Sequence, residues 1–220
     1  MTLFGALQPF VTRRHVSRSA HGCELCGAPL DRDHAHLADV DRRALACACR
    51  PCALLFARPP SPTNDGHPAR TRWRAVPERH LRDPSFRLEH HEWEALGIPV
   101  GIAFFFRSTA AGGWTAAYPS PAGPVESLLP LETWEAIAAR TPLARVLEDD
   151  VEALLVSFDA GPDGNGGDCV LVPIHACYAL VGRVRRRWRG LDGGDEGRAA
   201  VAEHLAALRD HAAVLAPEAS

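Results

Sequence analysis

Five cysteines lie within thirty residues near the start of the chain, and their spacing is that of metal ligands. Cys23 and Cys26 form one C-x2-C pair, Cys49 and Cys52 form a second, and 22 residues separate the pairs. Such a pair curls around one ion while its backbone amides hydrogen-bond the sulfurs, and Gly27 suits the turn because glycine tolerates positive φ. The sequence therefore predicts one tetrahedral site in which Cys23, Cys26, Cys49 and Cys52 bind a metal ion.

Cys47 is one thiol more than a tetrahedral site needs. We expect only one of Cys47 and Cys49 to reach the ion, and we prefer Cys49 because it completes the second C-x2-C pair. The alternative in which Cys47 takes the place of Cys49 stays open. His34 and His36 offer imidazoles as further alternative ligands, since residues two apart can share one face of a strand. With Cys49 as the ligand, replacing Cys47 with Ser is expected to cost no metal.

The identity of the metal decides what such a site can do. Four thiolates suit Zn²⁺, and they also suit iron in a rubredoxin-type site. A closed zinc site of four cysteines has no open coordination position and is structural, whereas iron in the same geometry would carry an electron. The expected cofactor is therefore Zn²⁺, with iron as the alternative.

No other combination of residues specifies a reaction, so no catalytic residue is predicted and the sequence favours a protein that is not an enzyme. The chain has no lysine, which excludes a Schiff-base lysine and the lysine-bearing phosphate-binding loop. Cys169 and Cys177 fall in apolar segments and are expected to be core thiols. The histidines between His80 and His91 leave open an enzyme of unidentified reaction.

The charge distribution bears on the possible partners. The arginine-rich stretch 183–189 leaves open a zinc-ribbon protein that binds nucleic acid. The net charge of −3 gives no general attraction to nucleic acid or to an anionic membrane, and no apolar run approaches the length of a membrane span. We therefore expect a cytoplasmic protein whose partner is another protein.

Apolar runs and turn residues predict an α+β fold, in which a small four-cysteine module of zinc-ribbon or rubredoxin-like type precedes an antiparallel sheet with helices packed on it. Two hairpins are predicted, one from IPVGIAFFF with WTAAYPS and the other from VEALLVSFDA with CVLVPI. The segment YPSPAGPVESLLP predicts a rigid loop. Helices, expected on one face of the sheet, are predicted over PLETWEAIAAR, over HACYALVGRVRRRW and along the stripe Val201, Leu205, Leu208 and Ala212. The expected divisions are an N-terminal arm (1–22), the four-cysteine module (23–57), a Pro-rich linker (58–70) and the α+β domain (71–220).

Several of these stretches together resemble an uncharacterised bacterial family, a domain of unknown function. They are CELCGAPL, HAHLADVDRRALACACRPCALLF, LGIPVGIAFFFRS, YPSPAGPVESLL, DVEALLV and VPIHACYALVGRVRRRWRGLDGG. Members of the family are encoded beside [NiFe]-hydrogenase structural and maturation genes. The resemblance implies a cellular context, with a hydrogenase subunit or a maturation factor as partner, and implies no particular reaction.

A second resemblance concerns the metal. Some hydrogenase assembly proteins join a rubredoxin-like module with four cysteine ligands to an α/β domain, and the outline here is similar. The second cysteine pair departs from the rubredoxin pattern C-P-x-C-G, because Arg50 precedes Pro51 and Ala53 stands where the glycine would be. This departure favours zinc. The sequence thus predicts an accessory protein for [NiFe]-hydrogenase maturation or electron transfer, with a structural four-cysteine site and a protein-binding α+β domain.

Overall fold

The computed structural model describes residues 22–56, 72–127, 132–158, 166–187 and 194–215. The predicted linker, nearly all of the predicted N-terminal arm and the loop 159–165 lie outside these residues. The elements in chain order are β1 (Ala35–Asp39), β2 (Ala44–Ala48), α1 (Arg50–Phe56), β3 (Trp73–Ala75), β4 (Leu81–Arg82), α2 (His90–Ala95), β5 (Ile102–Ser108), β6 (Gly113–Ser120), β7 (Gly123–Glu126), α3 (Glu132–Ala138), α4 (Leu143–Val146), β8 (Glu152–Phe158), β9 (Gly167–Pro173), α5 (Ile174–Arg187), α6 (Gly194–His211) and β10 (Ala213–Val214).

The larger of the two sheets that the described residues form has seven strands in the order β10-β4-β9-β8-β5-β6-β7. Both predicted hairpins are confirmed, since β5 pairs with β6 and β8 pairs with β9 in antiparallel register. The two hairpins join through the antiparallel pair β5–β8. The short strand β10 runs parallel to β4, so the sheet is mixed at that edge and not antiparallel throughout. The α+β class is confirmed.

Helices cover both faces of this sheet, so the expectation of helices on one face is wrong. Strands β5 and β8 are buried at nearly every position, and alternate side chains therefore need cover on opposite sides. Phe104 and Leu155 pack with α5 and α6, whereas Phe105 and Leu154 pack with α2, α3 and α4. No helix in the described part of the chain is long and apolar enough to cross a bilayer.

The described part of the predicted rigid loop, residues 118–127, is mostly strand and not loop, while residues 128–130 lie outside the described residues. Strand β6 continues to Ser120, and β7 then pairs with it, with Pro119 opposite Pro124. Proline removes a backbone donor, and β7 tolerates it because it is the edge strand of the sheet. Gly123 begins β7 at φ +134°, a conformation that favours glycine.

The cysteine region forms a second, three-stranded sheet in the order β2-β1-β3. Two short strands between the cysteine pairs, β1 and β2, pair antiparallel. This small sheet packs against the larger one, because Ala38 and Val76 belong to the same buried cluster as α5 and α6. The guanidinium of Arg43 also connects the two sheets, because its Nη2 and Nη1 donate to the carboxylate oxygens of Glu126 at 2.6 and 3.2 Å.

Two ion pairs with buried carboxylates hold the chain around β3. Glu152, fully buried at the start of β8, accepts from Nε and Nη2 of Arg79 at 2.6 and 2.8 Å. Asp39, at the end of β1, accepts from Nε and Nη2 of Arg72 at 3.0 and 2.6 Å. The guanidinium of Arg72 holds the pKa of the Asp39 carboxyl below its usual range. Buried carboxylates need such partners, so both pairs fix the position of this segment.

Candidate metal centre

The structure brings the four predicted sulfurs together. The Sγ atoms of Cys23, Cys26, Cys49 and Cys52 all lie within 4.8 Å of one another, and those of Cys26 and Cys49 are 3.7 Å apart. Four thiolates placed tetrahedrally at about 2.3 Å from a zinc ion would be about 3.8 Å from one another. The cluster can therefore hold one metal ion with little rearrangement.

A tight turn positions the first pair. The Cys23 N–H donates to the carbonyl of Ala28 at 2.7 Å, and the Gly27 N–H donates to the carbonyl of Cys23 at 2.8 Å. Gly27 adopts φ +77°, the conformation for which glycine was expected at this position. Cys23 is buried by this turn, while Cys26 remains exposed.

The second pair spans the junction between β2 and α1. Cys49 follows the last residue of β2, and Cys52 lies in the first turn of α1, where Pro51 is tolerated because it needs no helical donor. Glu24 joins the end of β2, just before this pair, to the first turn. Its N–H donates to the carbonyl of Cys47 at 2.9 Å, and its carboxylate accepts from the Cys47 N–H at 2.7 Å.

The thiols of the cluster differ in acidity. Burial raises the pKa of Cys23, but the N–H groups of Cys49, Cys26 and Leu25 outweigh it and lower that pKa to about 6. Burial raises the pKa of Cys52 to about 12, and hydrogen bonds that the protonated Cys52 thiol donates to the neighbouring cysteine sulfurs act in the same direction. Since a metal ion binds thiolates, loading the cluster releases protons.

Cys47 lies outside this cluster. Residues two apart in a continuous strand share a face, so Cys47 and Cys49 could approach the same ion only if β2 continued. Strand β2 ends at Ala48, and the chain then turns into α1. Cys47 instead pairs in register with His36 on β1, and its Sγ lies within 4.8 Å of ligand nitrogens of both His34 and His36.

Histidines from distant parts of the chain surround an open cleft of about 590 Å³ beside this second group. They are His34, His36, His80, His175, His204 and His211. The ring of His36 stacks on that of His175 with centroids 4.1 Å apart and planes 8° apart. Burial, together with the neighbouring histidines, lowers the pKa of His175 to about 4, so its ring is neutral at pH 7. Sequence spacing singled out His34 and His36, but it gave no signal that α5 would bring His175 to them.

Most of the other residues considered for chemistry are either buried in the core or exposed on a helix. Cys169 and Cys177 are fully buried, which confirms them as core thiols, and burial raises the pKa of both. Of the histidines considered for an enzyme, His80 lines the cleft. His90 and His91 are exposed on α2 and lie 3.2 and 3.1 Å from acidic side chains of the same segment.

The arginine-rich stretch is described only up to residue 187. Arg185 donates to the carbonyl of Pro121 at 3.2 Å, and Arg187 lies 3.4 Å from the carboxylate of Glu203. Residues 188–193, which include the tryptophan and the last arginine of the stretch, lie outside the described residues. The nucleic-acid interpretation stays a prediction.

Comparison with known proteins places the chain in a family. Residues 22–212 match the family described as "Family of unknown function (DUF5947)". The chain belongs to this family. The expectation of an uncharacterised domain is thereby confirmed, and the DUF5947 match includes both the four-cysteine cluster and the histidine cleft. No curated protein and no solved structure matches the chain.

Proposed function

We propose that the chain is a cytoplasmic accessory protein for [NiFe]-hydrogenase maturation or electron transfer, built on a structural zinc site of zinc-ribbon or rubredoxin-like type. The convergence of four sulfurs from two C-x2-C pairs within 4.8 Å carries the metal-binding part of the proposal. The hydrogenase part rests on the sequence resemblance. The α+β domain is the part proposed to bind a hydrogenase subunit or a maturation factor.

Zinc is favoured over iron by the local sequence around the ligands. Four thiolates form a closed tetrahedral shell, which suits Zn²⁺ in a structural role. The second pair lacks the C-P-x-C-G order typical of rubredoxin-type iron sites, since Arg50 precedes Pro51 and Ala53 follows Cys52. In this proposal the ion holds the turn at Cys23 to the start of α1, and thereby stabilises the small sheet.

Metal analysis together with an absorption spectrum tests the metal-binding part. We expect a colourless protein containing zinc, which loses the structural ion in Cys26→Ser and in Cys49→Ser. The matched control is Cys47→Ser, which should retain the ion of the four-cysteine cluster. A red protein containing iron would overturn the zinc assignment, and a chain that binds no metal would overturn the site.

The role in hydrogenase assembly needs a separate test in the native host. We expect the tagged chain to enrich a hydrogenase subunit or a maturation factor, and deletion of its gene to lower hydrogenase activity. If nothing of this kind is enriched and activity is unchanged, the hydrogenase role is wrong, while the metal site is judged by the metal analysis alone.

A further inference from the structure

A second group of potential ligand atoms lies beside the four-cysteine cluster and shares no residue with it. Ligand atoms of His34, His36 and Cys47 all lie within 4.8 Å of one another. The small sheet produces this arrangement. His36 and Cys47 are directly opposite each other in the β1–β2 register, and His34 precedes β1 by one residue, two positions before His36. Opposed residues, and residues two apart, place their side chains on one face of a sheet.

The ring of His34 is oriented as that of a metal ligand. Its Nδ1 lies 2.8 Å from the carbonyl oxygen of Asp31. A carbonyl can only accept, so Nδ1 carries the proton and Nε2 presents a lone pair. This Nε2 is buried and has no hydrogen-bond partner among the described residues. Ligating histidines commonly donate their other ring nitrogen to a backbone carbonyl in this way.

Two more buried nitrogens of the same cleft also have no partner within the described ranges. They are Nδ1 of His175 and Nε2 of His204. A buried polar atom without a hydrogen bond is costly and infrequent in folded proteins, so three in one cleft require an explanation. An ion bound by His34, together with water or a small molecule beside it in the cleft, would supply the missing contacts.

The surroundings of this group differ from those of the four-cysteine cluster. His34 and His36 border the open cleft of about 590 Å³. An ion held there by three protein ligands would therefore keep one position for water or a small molecule, which is the pattern of an open zinc site. Two imidazoles and one thiolate suit ions such as Zn²⁺ and Co²⁺, and not Mg²⁺ or Ca²⁺, which prefer oxygen.

We infer that His34, His36 and Cys47 form a second metal site, which binds a divalent ion of the zinc class and leaves an exchangeable position facing the histidine cleft. The site has one thiolate and stands at the surface of a cleft, so its ion exchanges more readily than one enclosed by four thiolates. Cys47 thus has a role of its own, and the inference does not depend on a role in hydrogenase assembly.

Cobalt binding to the full chain tests the second site. The chain is used as purified, after a mild chelator has removed exchangeable metal, and is titrated with Co²⁺ under equilibrium dialysis. We expect one ion to bind with the weak charge-transfer absorption of a single thiolate. Cys47→Ala, His34→Ala and His36→Ala should abolish this binding, whereas the matched control His91→Ala, at an exposed position of α2, should retain it. Absence of binding to the unaltered chain, or its survival in Cys47→Ala, would overturn the site.

Further measurements distinguish a lost second site from an unfolded variant, and they test the open position of the ion. Circular dichroism and thermal unfolding show whether each variant is folded, and Cys47→Ser offers a milder change if the alanine variant is not. Azide added to the cobalt form should shift the d–d absorption of the second site, because an open position accepts an anion; an unchanged spectrum would contradict that position. Cys26→Ser should leave the single-thiolate absorption in place. If Cys26→Ser keeps the zinc content of the unaltered chain, the proposed structural zinc site is wrong. The second site is then still supported by its own cobalt binding.

Discussion

Cys47 and Cys49 are two residues apart in the chain, yet their sulfurs belong to different ligand clusters. The separation arises at Ala48, where β2 ends and the chain turns toward α1. Cys47 stays in register with His36, whereas Cys49 joins the turn that holds Cys52. Single substitutions at these neighbouring positions can therefore affect one cluster and spare the other.

The first prediction uses this pair of cysteines. Cys49→Ser should lose the ion of the four-cysteine cluster, because a hydroxyl is a much poorer zinc ligand than a thiolate, and the small sheet should become sensitive to protease. Structural zinc sites contribute on the order of 10 kcal/mol to the folding of small metal-binding modules. Zinc content, measured after a mild chelator has removed exchangeable metal, and limited proteolysis are the measurements. Cys47→Ser is the control and should keep this ion; equal losses in both variants would contradict the separation.

The second prediction concerns the buried carboxylate of Glu152, which is fully enclosed and paired with Arg79. Arg79→Met should reduce the free energy of unfolding by about 3 kcal/mol, because it leaves a buried charge without its partner. Urea unfolding at pH 7 measures the change. The double variant Arg79→Met/Glu152→Gln should recover part of the loss, since no charge remains to be stranded. A loss in the single variant no larger than that of an exposed arginine would contradict the role of the pair.

The third prediction is a dependence of stability on pH. Asp39 accepts from Arg72, whose guanidinium keeps the pKa of the carboxyl below that of an unfolded aspartate, and from the backbone N–H of Arg42. The stabilisation is therefore present above the unfolded pKa of about 4 and is lost as the pH falls below it, through the lower pKa of the folded state. At pH 6, Asp39→Asn should lower the free energy of unfolding by about 2 kcal/mol.

Urea unfolding between pH 2.5 and 7, a range chosen around the usual titration of aspartate near pH 4, checks this behaviour. The difference between the unaltered chain and Asp39→Asn should be constant near neutrality and should shrink in acid. Arg72→Gln removes the guanidinium and should lose most of the acid-dependent part, while the N–H of Arg42 keeps the rest. A difference that does not change with pH would mean that the carboxylate charge contributes nothing to the stability.

The local features of the fold could be predicted from the sequence. The C-x2-C spacing places each pair within one turn, and the apolar runs around Phe104 and Leu155 have the length and composition of buried strands, which they form. The same runs also held the signal for helices on both faces, because Phe104 and Phe105 are adjacent in a strand and both need cover. That requirement follows from a continuous apolar run, but it does not show which helices supply the cover.

Contacts between residues far apart in the chain could not be predicted from the spacing of residues in the sequence. His36 and His175 meet because the small sheet packs against the start of α5, and that docking depends on the shared core around Ala38 and Val76. Periodicity describes which face of an element is apolar, but it does not give the partner of that face. The histidine cleft therefore emerged only from the three-dimensional arrangement.

The last prediction tests what His175 does for the second site. Its ring stacks on His36, so we expect it to position that ligand without binding the ion itself. His175→Phe keeps an aromatic ring in place and should bind Co²⁺ as the unaltered chain does, whereas His175→Ala removes the stack and should weaken binding about tenfold, as expected for a residue that orients a ligand. Cobalt dissociation constants for both variants are the measurement. If the phenylalanine variant binds as weakly as the alanine variant, a nitrogen of His175 is itself needed and the residue is a fourth ligand.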